Sequence, residues 1–122
     1  MAQTYQHLRV NDLTKAVVVE FADRKILEEL SIVQIGEELS QLSDAFPGRI
    51  LIMGFGNVGH LASATLGLLI KLNDQVARNK GHLILADIRP QIYEVFRITK
   101  LNRLFDISES VGEALDRVTR KQ

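Results

Sequence analysis

A chain of 122 residues is long enough to form one compact domain with a hydrophobic core. Its 15 basic and 15 acidic residues balance, which gives no electrostatic reason to expect a nucleic-acid or anionic-membrane partner. The absence of cysteine excludes disulfides, thiolate metal sites and cysteine nucleophiles. The polar start lacks a signal-peptide pattern, and no apolar run approaches the roughly 18 residues that span a bilayer. We therefore expect a single cytoplasmic domain over residues 1–122.

The first part of the chain predicts a β-hairpin. Residues 5–10 alternate weakly between polar and apolar side chains, and residues 16–21 form a β-branched run typical of a central strand. Between them stand Asn11 and Asp12, which tolerate left-handed backbone and favour turns. We predict a turn at residues 10–13.

The next segment predicts an amphipathic helix. Apolar residues recur at three- and four-residue steps at Ile32, Ile35, Leu39 and Leu42. Ser31 followed by Gln34 has the capping-box spacing, so the helix is predicted to begin at Ser31. Pro47 and Gly48 are predicted to end it, because proline disfavours helical backbone before it and glycine frees the following turn.

The remainder alternates between strands and helices. Residues 50–53 and 82–86 predict buried strands, and residues 101–107 predict a last extended segment. A second helix is predicted from Ser63 to a C-terminal cap at Gly81. Its expected apolar stripe is Leu66, Leu69, Ile70, Asn73 and Val76. Pro90 is expected to open a short third helix with Ile92, Val95, Phe96 and Thr99 along one face. A fourth helix is predicted to begin within residues 108–111. This order predicts an α/β fold with a mostly parallel central sheet, an N-terminal hairpin and about four helices.

The turn after the third strand carries Gly54, Gly56 and Gly59 in the pattern G-x-G-x-x-G. Such a turn can hold a pyrophosphate at a helix N-terminus, and Asp87 at the end of the next strand could reach a ribose. However, Asp87 follows the glycines by more than the roughly 20 residues expected, and too few residues remain for the second half of a dinucleotide fold. A nucleotide-dependent enzyme is therefore the less favoured alternative.

Ser63 stands where the second helix should begin. In a purely structural interpretation, its hydroxyl oxygen caps the helix. In a functional interpretation, Ser63 is a phosphorylation site, because the free amides and the dipole of a helix N-terminus favour a phosphate. Thr65, a second hydroxyl in the first turn, is expected to bond locally within the helix. The histidines form no ligand cluster and no acid/base pair stands out, so we expect no metal, no cofactor and no catalysis.

Two segments carry a family resemblance. The segment NVGHLASATLGLLIKL resembles the signature of STAS domains, the anti-sigma-factor antagonist family, in which Asp-Ser-Ser/Thr-Gly-Leu-Gly opens a helix after an apolar strand. The segment HLILADIRPQIYEVFRITKLNRLFDISESVGEAL resembles the family's closing strand, proline-started helix and last helix. The resemblance covers residues 5–115 and implies a STAS-like fold.

The resemblance also implies a function. In that family the first serine of the motif is phosphorylated by a cognate anti-sigma factor that is also a kinase, and this position corresponds to Ser63. Ala62 replaces the motif's aspartate, Ala64 its second hydroxyl residue and Thr65 its glycine. The expected partner is therefore an anti-sigma factor of the ATPase and serine-kinase type. The complex with this partner is expected to dissociate when Ser63 is phosphorylated. The expected contact surface comprises Asp23, Arg24, Asn57, His60, Leu61, Ala62, Ala64, Thr65 and Leu66.

A second alternative remains open on the same fold. The domain could be a binding module that is not switched, serving a ligand or a lipid-transport system, in which Ser63 only caps its helix.

Overall fold

The computed structural model describes residues 5, 7–22, 25–26 and 29–120. The chain forms β1 (Leu8–Asp12), β2 (Val17–Phe21), β3 (Lys25–Ile26), α1 (Glu29–Ala45), β4 (Ile50–Gly54), β5 (His60–Leu61), α2 (Ser63–Arg78), β6 (His82–Ala86), α3 (Pro90–Ile98), a 3-10 turn (Leu101–Arg103), β7 (Asp106–Ile107) and α4 (Val111–Arg120). The predicted α/β order is confirmed, and the two-residue strands β3 and β5 are additional to it. Within the described residues, no helix has the length and apolar character needed to cross a membrane.

The central sheet has five strands in the order β1-β2-β4-β6-β7. Strands β1 and β2 pair antiparallel, and the other neighbours pair parallel, so the predicted hairpin and mostly parallel sheet are confirmed. A separate parallel pair joins β3 to β5. This pair ties the segment before α1 to the segment before α2.

Helices cover the two faces of the sheet unequally. The larger core contains β-strand residues such as Val19, Met53 and Leu85 packed with residues of α1, α2 and α3. The opposite face carries a smaller cluster in which Ile52 and Ile84 pack against α4. Because β4 and β6 are parallel and each is followed by a helix, α2 and α3 both begin beyond the carboxyl ends of the strands. That edge of the sheet is where ligands and partners are commonly bound in α/β folds.

Two predictions for the N-terminal part of the chain are wrong: the turn at residues 10–13 and the start of the first helix. Asn11 and Asp12 do not form a turn, because they pair with Val18 and Val17 and extend β1. The hairpin instead turns at residues 13–16, where the Leu13 amide donates to the Ala16 carbonyl over 2.9 Å. Helix α1 begins at Glu29, so position 31 lies inside the helix, and the prediction that the helix begins there is wrong.

The C-terminal cap of α2 also differs from the prediction. The sequence predicts the cap at Gly81, but the residue with left-handed backbone at this helix end is Lys80, at φ 65°. The Lys80 amide donates to the Ala77 carbonyl over 3.0 Å, and the Gly81 amide donates to the Val76 carbonyl over 2.8 Å. These two bonds form a Schellman motif, which satisfies carbonyls at the helix end.

The predicted apolar stripes hold in part. In α2, Ile70 was predicted to be buried but is 38% exposed. Leu72 is buried instead, because it lies three residues after Leu69 and four before Val76, on the same face of the helix. In α3, only Ile92 and Phe96 are buried, whereas Val95 and Thr99 are exposed. Residues 101–107 are not extended throughout, since a 3-10 turn precedes the short strand β7.

A charged network fastens β7 to its neighbours. Asp106 accepts a hydrogen bond of 2.8 Å from the His82 ring on β6 and bonds of 3.0 and 3.1 Å from Arg117 on α4. Burial alone would raise the pKa of the Asp106 carboxyl, but the bonds from Arg117 and His82 outweigh that effect and hold the pKa below its usual value. The ionised form of Asp106 therefore stabilises the fold.

We expect the Asp106→Asn substitution to lower the free energy of unfolding at pH 7 by up to about 1 kcal/mol, because the network is partly solvated and screened. A depressed folded pKa contributes stability above the unfolded value of about 3.9, and that stability is lost as pH falls through the lower folded value. The difference between wild type and variant in urea unfolding should therefore shrink below pH 4. Asp74→Asn, which removes only an exposed ion pair with Arg78 in the same helix, is the control. A difference unchanged down to pH 2 would contradict this assignment.

Candidate functional site

The candidate site is the loop of residues 55–62 together with the first turn of α2. The loop is anchored from below by Phe55 and Val58, which are both fully buried. The Phe55 ring lies 5.1 Å from the Phe21 ring, and the Phe55 amide donates to the Ala86 carbonyl over 2.9 Å. Between these anchors Gly56 and Asn57 are exposed. The exposed tip of the loop, Gly56 and Asn57, is therefore held in place by a buried residue on each side.

Contacts from three other segments hold the loop from the sides. The Asn57 side-chain amide donates to the Phe21 carbonyl over 3.3 Å. The Arg89 guanidinium donates two bonds, of 2.9 and 3.2 Å, to the Gly56 carbonyl. Nearer α2, His60 and Leu61 pair with the two residues of β3. No local sequence pattern marks Arg89, because its contact with Gly56 joins residues 33 apart.

Ser63 is the first helical residue of α2 and is exposed. The N-cap is Ala62, with extended backbone at φ −74° and ψ 149°, and no side chain of the described residues caps the helix. The predicted capping role of Ser63 is therefore wrong, because its backbone is already helical and the cap position belongs to a residue without a polar side chain. The hydroxyl of Ser63 is left available at the surface.

The electrostatics of this helix end favour an anion. The first amides of a helix lack the usual partner four residues earlier, although the Thr65 amide donates to the Ala62 carbonyl over 2.9 Å. The dipole of the 16-residue helix places partial positive charge at this end. The first turn of α2 contains no acidic residue. A phosphate on Ser63 would meet unpaired N–H donors without a neighbouring carboxylate in that turn.

Thr65 and Leu66 point into the protein. Thr65 is 0% exposed and Leu66 is buried, so their side chains are not presented to a partner in this conformation. The Thr65 hydroxyl has no hydrogen-bond partner among the described residues, so its predicted local bond within the helix is not formed. A buried hydroxyl without a partner is destabilising, since its desolvation is not compensated.

We expect Thr65→Val to raise the free energy of unfolding by about 1 kcal/mol, because valine keeps the branched shape and removes the unpaired hydroxyl. Urea unfolding of the two proteins measures the difference. Thr99→Val is the matched control, because the Thr99 hydroxyl donates to the Val95 carbonyl over 2.7 Å and its removal should give no gain. A Thr65→Val protein less stable than wild type would show that the hydroxyl is satisfied in solution.

The structure gives the remaining predicted surface residues different exposures. Asn57, His60 and Ala64 are exposed beside Ser63 in the loop and first turn, and Leu61 and Ala62 are half-buried. Asp23 and Arg24 lie outside the described residues. Among the described residues, the exposed part of the predicted surface is thus small and contains no Asp, Glu, Lys or Arg.

The glycine turn does not have the geometry of a dinucleotide site. Helix α2 begins only at Ser63, and strand β5 separates it from Gly59, so the third glycine is not packed into the helix start. Asp87, at φ 57°, accepts a bond of 3.4 Å from the Val111 amide at the start of α4. Its carboxylate is therefore engaged in holding α4. Within the described ranges, no group of His, Cys, Asp or Glu side chains is arranged to hold a metal ion.

Comparisons with known proteins agree with this fold. The family model described as STAS domain matches residues 10–114. A Bordetella bronchiseptica protein, BtrV, which is provisionally named an anti-sigma factor antagonist, is 24% identical over 85 residues. That match covers 70% of this chain and 72% of BtrV.

Solved structures show the same fold at low sequence identity. The anti-sigma-factor antagonist (STAS) domain protein from Planctomyces limnophilus superimposes with a TM-score of 0.80 at 18% identity, covering 92% of this chain and 97% of that one. The Bacillus cell fate determinant SpoIIAA in its phosphorylated form superimposes with a TM-score of 0.66 at 22% identity, covering 91% and 98%.

Proposed function

The chain belongs to the STAS domain family, and from this membership we propose that it is a cytoplasmic anti-sigma factor antagonist controlled by phosphorylation of Ser63. In this proposal its partner is an anti-sigma factor with ATPase and serine-kinase activity. The unmodified form binds the partner and frees a sigma factor, and the phosphorylated form is released. The name of BtrV supports the assignment of the antagonist role.

The observation that carries the proposal is the state of Ser63. It is exposed at the start of a 16-residue helix, its hydroxyl makes no capping bond, and the first turn holds no acidic residue. A kinase can reach such a hydroxyl without unfolding the helix, and the product phosphate is favoured by the helix end. The anchored loop then presents Asn57 and His60 beside the acceptor as contacts for the partner.

The chemical step is carried out by the partner. The Ser63 oxygen attacks the γ-phosphorus of ATP, the bond to the β-phosphate oxygen breaks, and ADP leaves. The hydroxyl proton passes to a base. Because Ala62 stands where the family motif has an aspartate, this chain supplies no carboxylate at that position, and we propose that the partner supplies the base.

Release follows from charge and desolvation. Phosphorylation adds a charge of about −1.5 to −2 to a small, nearly neutral contact surface. Covering that charge with a docked partner would desolvate it without a matched cation, which is costly in an interface. The helix itself is not disturbed, so the switch acts on binding and leaves the fold unchanged.

Pairwise binding measures this proposal directly. Each ATPase-type anti-sigma factor encoded in the same genome would be purified and titrated with the unmodified protein by calorimetry, with ADP or ATP present. We expect one of them to form a stoichiometric complex and to release its sigma factor. If none binds, the antagonist role is refuted, and thermal-shift tests for an apolar ligand would then examine the alternative of an unswitched binding module.

A further inference from the structure

A small cavity with a basic lining opens beside the candidate site. Its volume is about 380 Å³, and its lining includes Arg9, Ala22, Asn57 and Arg89. These residues come from β1, the residue after β2, the loop after β4 and the N-cap of α3. The cavity therefore lies at the carboxyl edge of the parallel strands, next to the loop that leads to Ser63.

The Arg89 guanidinium is held in place. Its Nε and one terminal nitrogen donate to the Gly56 carbonyl over 3.2 and 2.9 Å. A guanidinium has five N–H donors, so three have no partner among the described residues. A side chain that is already immobilised loses less conformational entropy when it binds a second acceptor.

Arg9 adds a second cation to the cavity. It is exposed, and its Cα lies opposite that of Glu20 in the hairpin register. No ion pair joins Arg9 to Glu20 among the described residues, and the described lining residues include no carboxylate. Two arginines thus face one cavity in a protein whose overall charge is zero.

We propose that this cavity receives an acidic side chain of the protein partner, held between Arg9 and Arg89. The proposal rests on the proposed function, because it supplies an anchor for the same partner. A carboxylate matches the free edge of a fixed guanidinium in a bidentate geometry, and Asn57 offers a polar wall. A second anion, the phosphate on Ser63, would lie on the same loop and oppose the approach of that acidic side chain.

Anion titration followed by NMR tests the cavity without any partner. Glutarate, a dicarboxylate of side-chain size, is expected to give saturable shifts at the Arg89 Nε and at the Gly56 and Asn57 amides, with a millimolar dissociation constant. The R9Q/R89Q variant should lose these shifts. Arg103→Gln removes one positive charge in the 3-10 turn that follows α3, away from the cavity lining, and should keep them. Absence of saturable shifts, or saturation by inorganic phosphate but not by glutarate, would overturn the proposal.

Partner affinity provides the second measurement, with the anti-sigma factor identified by calorimetry. Arg89→Gln should weaken the complex about tenfold and reduce its dependence on salt, whereas Arg103→Gln should change neither. Equal affinity of wild type and R9Q/R89Q would refute the anchor while leaving the antagonist role intact. If glutarate binds but no anti-sigma factor forms a complex with the protein, the antagonist role is refuted. The proposal that an acidic side chain of such a partner fills the cavity is then refuted as well.

Discussion

Replacing Ser63 with glutamate is expected to weaken binding of the anti-sigma factor about 100-fold, whereas Ser63→Ala should bind as wild type does. A carboxylate at this exposed position places an unmatched charge in the contact surface, and such charges cost several kcal/mol when desolvated. About 2.7 kcal/mol corresponds to that factor of 100. The alanine variant removes the hydroxyl that accepts the phosphate but adds no charge, so it should be locked in the binding form.

A loss of binding in S63E reports on the added charge only if the variant remains folded. An acidic residue in the first turn of a helix is favourable to the dipole by about 0.3–1 kcal/mol, so S63E should be at least as stable as wild type. Urea unfolding checks this point, and calorimetry with the anti-sigma factor measures the affinity. A stable S63E protein that binds with wild-type affinity would falsify the phosphorylation switch.

Gly81→Ala is expected to lower the free energy of unfolding by about 3 kcal/mol, because there is no room for a side chain. A Cβ at this position would lie 2.5 Å from the Arg49 carbonyl oxygen and 3.1 Å from a methyl group of Val76. The same Arg49 carbonyl accepts a bond of 3.2 Å from the His82 amide, so moving it would disturb the start of the β4–β6 pairing. A loss of this size is a large part of the stability of a small domain.

Gly67→Ala is the matched control for that substitution. Gly67 lies inside α2, is exposed, and has open space where its Cβ would be. Alanine there should raise the free energy of unfolding by about 0.5–1 kcal/mol, since glycine is a poor helix former. Urea unfolding of both variants gives the two differences. Equal effects at the two glycines would show that the close approach to Arg49 does not exist in solution.

Periodicity and strand composition predicted the main elements and much of the core. The apolar steps at Ile35, Leu39 and Leu42 are buried in α1, and the strand at residues 50–53 lies in the middle of the sheet. These predictions succeed because burial of one helix face or of a central strand dominates the local energetics.

The ends of the elements were harder to predict. Polar residues that favour caps or turns can be overruled by tertiary pairing, as at Asn11 and Asp12, where the hairpin ladder continues through a turn-like sequence. At Ser63 the helix begins one residue earlier than a serine cap would require, so the same residue has an unbonded side chain. At Gly81 the glycine is needed for close backbone approach to Arg49, a reason that no local pattern reveals.

The candidate site was only partly visible in the sequence. Ser63 was predicted from its place at the start of the second helix and then from the resemblance, and its exposed position agrees with the proposed role. The clamp of Arg89 on the Gly56 carbonyl was missed, because it depends on two parallel strands bringing the loop after β4 beside the start of α3.

The central claim is that Ser63 is a switch, and intact-mass measurement with peptide mapping of residues 55–72 tests it most directly. The protein would be isolated from its own cells and, separately, incubated with the identified anti-sigma factor and ATP. We expect one phosphate, on Ser63, and loss of the complex in step with its appearance. A protein that stays unmodified in both experiments while binding the partner, or that carries its phosphate at another residue, would contradict the claim.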